Sequence, residues 1–124
     1  MTTLPTDLDG TETNLIVGQN SDATFSCTLT VNGTVQPVTG TTPVMTVKLG
    51  YAEPVALTVD DTTTPSVITV NAVDDTYDVL LSHTDLLTLT GNKTYVYDIV
   101  VQDGSIQRRA QYGTLAVRPA VLNT

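Results

Sequence analysis

The sequence has few of the residues on which enzyme active sites and disulfide frameworks depend. Its 124 residues include one cysteine, one histidine and no tryptophan. A single cysteine, Cys27, excludes a disulfide within the chain, so the fold must be held by its core and strand pairing, or by a partner. No CxxC, HExxH, GxGxxG or P-loop pattern occurs. The common zinc and nucleotide sites therefore have no support in the sequence.

Basic residues and long apolar runs are also scarce. Five lysines and arginines stand against 13 acidic residues, which gives a net charge of −8. Binding to phosphate backbones needs clustered basic side chains, so we expect no nucleic-acid partner. The polar start, MTTLPTDLDGTE, does not resemble a secretory signal, and no apolar run approaches the roughly 20 residues of a membrane helix. We therefore expect no membrane partner.

The few candidate catalytic residues do not form a convincing set. His83 lies beside Ser82 and near Asp85, but side chains adjacent in one turn rarely converge as nucleophile, base and orienting acid. Ser82 to Asp85 resembles a capping box, so we interpret this stretch as one helical turn with a solvated or capping histidine. Cys27 lies on the inward face of a strand, where a cysteine acts as a small hydrophobe.

Carboxylates occur in three groups, which raises the question of calcium. A calcium site needs six to eight converging oxygen ligands, and no group here has the rest of the EF-hand spacing. We interpret the groups as solvated acidic turns and expect no metal and no cofactor. They are Asp7/Asp9/Glu12, Asp60/Asp61 and Asp74/Asp75/Asp78.

Threonine and valine are abundant, and both favour strands. Eight or nine short strands follow one another with turn signals about every ten residues, as in a sandwich or a small barrel. We predict an all-β antiparallel sandwich, with a small barrel or jelly roll as the alternative. The predicted parts are an extended N-terminal arm (residues 1–13), the sandwich (14–119) and a C-terminal tail (120–124).

The stretch from Lys93 to Pro119 is the clearest supersecondary signal. Alternation puts Tyr95 and Tyr97 on one face of the first strand, and Asp103-Gly104 is a strong hairpin turn. Arg108 and Arg109 follow this turn as the only basic doublet. We consider them a candidate contact with a negative patch on a partner. The alternative is a charged pair that protects an exposed strand from aggregation.

The segment Leu89-Thr-Gly91-Asn-Lys-Thr-Tyr95-Val-Tyr97 resembles the corner before the sixth strand of immunoglobulin-like domains. The resemblance implies that the predicted sandwich is immunoglobulin-like and that the Tyr95 hydroxyl bonds back to the preceding loop. It also implies that Tyr97 stands where antibody domains have their second cysteine, with Cys27 in the place of the first. The disulfide partner and the tryptophan of antibody domains are absent.

A wider resemblance covers most of the chain. The order of strand, glycine-containing insert, middle hairpin, L-x-x-G-x-x-x-Y-x-Y-D-I corner and final hairpin is similar to small β-sandwich accessory proteins of tailed-bacteriophage virions. It implies a structural protein of the virion, made in the host cytoplasm, without enzyme activity or cofactor. The residues that carry it are Gly33, Gly40, Tyr95, Tyr97, Asp98, Ile99, Asp103, Gly104, Gly113, Leu115, Val117 and Pro119.

Within this resemblance we favour a capsid decoration (cement) protein. It would bind the major capsid protein or other virion proteins, and it would be a homo-oligomer on the particle. The candidate contacts are Thr2, Thr3, Leu4, Pro5 and Asp7 in the arm, together with Arg108 and Arg109.

Two alternatives stay open. One is a neck, tail or baseplate adaptor that holds a fibre. The other is a carbohydrate-binding module, which would need exposed aromatic side chains. We expect most aromatics (Phe25, Tyr77, Tyr95, Tyr97 and Tyr112) to point inward, which leaves Tyr51 as the exposed loop aromatic.

Overall fold

The structure, a computed structural model, describes residues 10–119. This part of the chain forms eleven strands and one short helix, as the strand-rich composition predicts. The elements are β1 (Thr11–Glu12), β2 (Leu15–Gly18), β3 (Ala23–Cys27), β4 (Thr30–Val31), β5 (Thr34–Val35), β6 (Thr42–Lys48), β7 (Val55–Asp60), β8 (Val67–Asn71), β9 (Thr76–Leu81), α1 (His83–Leu86), β10 (Lys93–Asp103) and β11 (Ile106–Arg118).

Two packed sheets form the sandwich, and the all-β prediction is confirmed. The larger sheet has the order β1-β11-β10-β6-β7, and β2 follows β1 along the same edge of β11. The smaller sheet has the order β3-β9-β8, and β4 pairs with β5 in a separate hairpin. All pairs are antiparallel except those of β1 and β2, which run parallel to β11. The strictly antiparallel prediction therefore fails at these two strands.

The core lies between the sheets and follows the period-two alternation of the strands. Met45, Tyr77, Ile99 and Leu115 are among its fully buried side chains. Cys27 is buried and free, and burial raises the pKa of its thiol to about 12. A thiol with so high a pKa is inert at neutral pH, in keeping with a small hydrophobe.

Helix α1 begins at the predicted capping residue. The Ser82 Oγ accepts a hydrogen bond from the Thr84 backbone N–H at 3.2 Å, and Leu86 is buried against the core. Behind the helix, the buried Gln19 amide donates to the carbonyls of Leu86 and Leu89 at 3.1 and 2.7 Å. No helix in residues 10–119 has the length and apolar character needed to cross a bilayer.

The described end of the N-terminal arm belongs to the sandwich. Thr11 and Glu12 pair with β11, and the Thr13 N–H donates to the Tyr112 carbonyl at 2.8 Å. Thr11, Glu12 and Thr13, which were predicted to belong to the arm, therefore bond to the sheet. The physical reason is the edge of β11, whose backbone groups would otherwise lack partners on that side. Residues 1–9 and the predicted tail (120–124) lie outside the described residues.

Gly113 allows the chain between β1 and β2 to lie directly on β11. Its φ is +156°, and a Cβ added there would overlap the Thr13 carbonyl oxygen. The neighbouring Thr114 N–H donates to the Asn14 Oδ1 at 3.1 Å. At this point a side-chain oxygen takes the place of a backbone carbonyl as the acceptor for β11. A residue without a side chain is thus required at position 113.

We predict that Gly113→Ala destabilises the domain by about 3 kcal/mol, because the added methyl group must displace backbone. The matched control is Gly40→Ala. Gly40 also has a positive φ, of +79°, but nothing lies within 4 Å of its added Cβ. We expect the control to lose about 1–2 kcal/mol, the backbone cost of an alanine in the left-handed region without any displaced backbone. Urea unfolding measures both, and equal losses would contradict the close-approach explanation.

Candidate functional site

The two corner tyrosines tie loops to the sheet through their hydroxyl groups. The Tyr95 hydroxyl accepts a hydrogen bond from the Thr90 N–H at 2.8 Å, which is the corner interaction that the resemblance implies. The Tyr97 hydroxyl donates to the Thr13 carbonyl at 2.7 Å and accepts from the Gln111 side-chain amide at 2.9 Å. Burial raises the pKa of Tyr97 to about 12. Tyr97 therefore fastens the end of the arm to the sheet.

We predict that Tyr97→Phe lowers the free energy of unfolding by about 1–3 kcal/mol, because it leaves the Thr13 carbonyl and a buried Gln111 amide without their partner. Tyr51→Phe is the matched control, since the Tyr51 side chain is 82% exposed. Thermal unfolding at neutral pH checks both. An equal effect of the two substitutions would contradict the role assigned to the Tyr97 hydroxyl.

The residues considered for catalysis have separate partners. The His83 Nδ1 lies 2.8 Å from the Asp22 Oδ1, while the Asp85 Oδ2 accepts from the Ser66 N–H at 3.2 Å. The Ser82 Oγ caps α1. Ser82, His83 and Asp85 therefore do not form a nucleophile, base and acid triad.

The acidic turns bond their own backbone and neighbouring side chains. The Asp60 Oδ1 accepts from the backbone N–H groups of Thr62 and Thr63. The Asp78 carboxylate accepts from Ser26, Thr76 and Asn71, and these bonds hold its pKa below the usual value. Within residues 10–119, no group of three or more His, Cys, Asp or Glu side chains is placed to hold a metal ion.

A bulge at Ala110 decides which arginine of the basic doublet reaches the outer face of the sheet. Ile99 pairs with Gln111, but the next residue, Val100, pairs with Arg109, so β11 has one residue more than β10 at this point. Ala110 and Gln111 are both buried as a result, and Arg109 comes to the same outer face as Tyr112. Arg108 instead pairs with the inward-facing Val101. The doublet is therefore not one basic patch, because its members lie on opposite faces of the sheet.

The outer face of the larger sheet holds a groove of about 460 Å³, which we call the outer groove. Its floor is formed by β6 and β10, and residues of β11 and of the turn after β6 form its sides. The lining comprises Thr42, Val44, Thr46 and Lys48 from β6, Val96, Tyr97, Asp98, Val100 and Gln102 from β10, Gln107, Arg109 and Tyr112 from β11, and Tyr51 from the turn.

Strand register arranges these residues in rows across the sheet. Asp98 lies between Thr46 on β6 and Tyr112 on β11. The adjacent row places Val100 next to Arg109. The Arg109 guanidinium carbon lies 3.9 Å from the centroid of the Tyr112 ring. The guanidinium therefore makes a cation–π contact with the face of this ring. The groove therefore holds a carboxylate and a positioned guanidinium one row apart.

Asp98 is the carboxylate of the outer groove, and its environment is unfavourable to charge. Burial raises its pKa, and the positive charges of Arg109 and Lys48 offset this rise only in part. A carboxylate that lies in a groove and has a perturbed pKa is a candidate functional residue. Asp98 is thus the residue of the groove that most needs a functional explanation.

The sequence interpretation missed this site. Tyr112 was expected to point inward, but it lines the outer groove together with Tyr51. Lys48, Asp98 and Arg109 lie on three different strands, so no local motif connects them. Of the predicted contacts, Arg109 lies in the groove and Arg108 on the other face, while Thr2, Thr3, Leu4, Pro5 and Asp7 lie outside the described residues.

Comparison with known proteins identifies the fold. No family model matches the sequence, and no curated protein matches it. Among solved structures, a marsupial T cell receptor is similar, with a TM-score of 0.53 and 17% identity over 89% of this chain. The chain has an immunoglobulin-like β-sandwich fold. The match spans about half of the receptor chain (51%), and at this identity the likeness concerns the fold alone.

We predict that Asp98→Asn leaves the immunoglobulin-like domain as stable or more stable at neutral pH, by up to about 1 kcal/mol after allowance for solvent screening. A raised folded-state pKa means that the folded state binds a proton more readily than the unfolded state. The stability of the natural protein therefore rises as pH falls through that raised pKa. Thermal unfolding from pH 7 to pH 4 should show the variant's advantage shrinking, and a clear loss of stability at pH 7 would contradict the interpretation.

Proposed function

We propose that the protein is a non-enzymatic structural protein of a tailed-bacteriophage virion, in which it acts as a capsid decoration protein. The sequence resemblance described above and the immunoglobulin-like sandwich support this proposal. Its mechanism would be mass action, because a protein that binds only the assembled lattice stabilises that lattice. A homo-oligomeric arrangement on the particle and the major capsid protein as partner belong to the same proposal.

One observation supports the proposed contact region more than any other. The backbone of Gly10 lies against the Arg109 carbonyl, since a Cβ added to Gly10 would be 2.7 Å from that oxygen. Gly10 is the first described residue, so the chain that follows residues 1–9 enters the domain beside Arg109. A nine-residue segment can reach about 30 Å at most, which is far enough to contact a neighbouring subunit.

We predict that deletion of residues 1–9 abolishes binding to the particle but leaves the domain folded, because β1 and the Tyr97 tie begin after residue 9. Sedimentation with purified particles measures binding, and thermal unfolding measures the fold. Arg108→Glu should weaken binding by at least tenfold. Lys93→Glu is the matched control, since Lys93 is exposed at the other end of β10, roughly 25 Å along the strand from the position opposite Arg108. Normal particle occupancy by the truncated protein would overturn this use of the arm.

A neck, tail or baseplate adaptor that holds a fibre is the alternative within the same class. Quantitative mass spectrometry of purified virions separates the two. Hundreds of copies per particle would support the decoration role, whereas a multiple of three or six in the tens or fewer would support the adaptor. Absence of the protein from virions would overturn both.

A further inference from the structure

The outer groove places hydrogen-bond acceptors and hydrogen-bond donors side by side. The Asp98 carboxylate can only accept hydrogen bonds, while the Lys48 ammonium and the Arg109 guanidinium can only donate them. Gln102 and Gln107, which are cross-strand neighbours, can do both. A matching ligand must offer donors and acceptors within a few ångströms of each other. Hydroxyl groups meet this requirement because each one donates and accepts.

The same groove offers apolar surface for the carbon skeleton of such a ligand. Val44, Val96 and Val100 lie among the polar residues, and the Tyr51 ring stands at one side with 82% of its surface exposed. A tyrosine provides a flat apolar face and a polar tip. Sugars combine an apolar C–H face with a rim of hydroxyl groups, which matches this mixture of side chains.

The polar groups are positioned before any ligand arrives. The bulge after Arg109 brings that side chain to the outer face, and the Tyr112 ring supports the guanidinium at 3.9 Å. Asp98 is held on a central strand that is paired on both sides. Side chains that are placed on strands and supported by neighbours lose little freedom on binding.

We infer that the outer groove is a carbohydrate-binding site, in which Tyr51 stacks on a sugar ring while Asp98, Lys48 and Arg109 bond to its hydroxyl groups. Its volume of about 460 Å³ lies within the usual range of small-ligand sites. The part of β10 that lines the groove, from Val96 to Gln102, is roughly 20 Å long. This is longer than one sugar ring and suits a short oligosaccharide. This site goes beyond the proposed decoration role and does not depend on it.

Other occupants suit the groove less well. A polyanion or an acidic peptide would bring negative charge to the half-buried Asp98. A second copy of this chain docked on the groove would bring its own excess of acidic residues to Asp98. A neutral polyhydroxylated ligand brings no charge, and its hydroxyl groups can accept from the two cations and donate to the carboxylate.

An array of neutral and acidic oligosaccharides, probed with the isolated full-length protein, tests the inference. The best neutral hit is then titrated into ¹⁵N-labelled protein. We expect amide shifts confined to β6, β10, β11 and the turn around Tyr51. Tyr51→Ala and Asp98→Asn should each weaken binding at least tenfold. The first removes the stacking ring, and the second replaces one of two charged acceptor oxygens by a neutral NH2 donor.

Matched controls separate recognition from folding. Val73→Ala changes an exposed apolar side chain in the turn between β8 and β9, and Asp61→Asn changes an exposed acid after β7. Both should leave affinity within twofold of the natural protein. Loss of binding in Asp98→Asn, together with unchanged or higher thermal stability, would support a direct contact rather than a structural effect.

Several results would overturn the inference. They are the absence of neutral-glycan binding at millimolar concentration, full affinity in both groove variants, preference for an acidic peptide, or dimerisation of the protein through this face. The protein lacking residues 1–9 should bind the glycan normally, so failure of the particle experiment and failure of the glycan experiment remain distinguishable.

Discussion

The pairing of β10 with β11 is the interaction on which the rest of the structure depends. It is the longest pairing in the described part of the chain, and it contributes residues to every functional region considered above. The inward side of the pair supplies Tyr95, Tyr97, Ile99 and Leu115 to the core. Its outward side supplies Asp98, Arg109 and Tyr112 to the outer groove. On the side away from β10, β11 pairs with β1 and β2, so its backbone has partners on both sides.

Hydrogen bonds to tyrosine hydroxyls, and no disulfide, tie loops to the larger sheet of this domain. Cys27 has no partner cysteine, and the resemblance to antibody domains implies that Tyr97 stands where that partner would be. The Tyr97 hydroxyl joins the Thr13 carbonyl to the Gln111 amide, and Tyr95 secures the loop that precedes β10. A buried hydroxyl with two partners contributes less than a disulfide, but it needs no oxidising compartment. The fold can therefore form without any redox chemistry.

Most of the fold could be predicted because it depends on local signals. Period-two alternation located β10, the Asp103-Gly104 turn located its hairpin with β11, and the Ser82 cap located α1. The pairing of β1 could not be predicted, because its two exposed residues have no alternation and the pairing depends on a distant strand edge. The outer groove was missed for a similar reason. Lys48, Asp98 and Arg109 come together only through strand register, and a bulge of one residue decides which arginine joins them.

The bulge at Ala110 also means that β11 has two halves that are out of phase with each other. Before the bulge, odd-numbered residues such as Gln107 and Arg109 lie on the outer face; after it, even-numbered residues such as Tyr112 do. Loss of Ala110 would restore a single phase and leave Arg109 opposite Val100 on the outer face. A straight strand that kept all its residues would instead place Ala110 opposite Val100 and turn Arg109 to the inner face. The one extra residue is therefore what allows Arg109 and Tyr112, three positions apart in the sequence, to share one face.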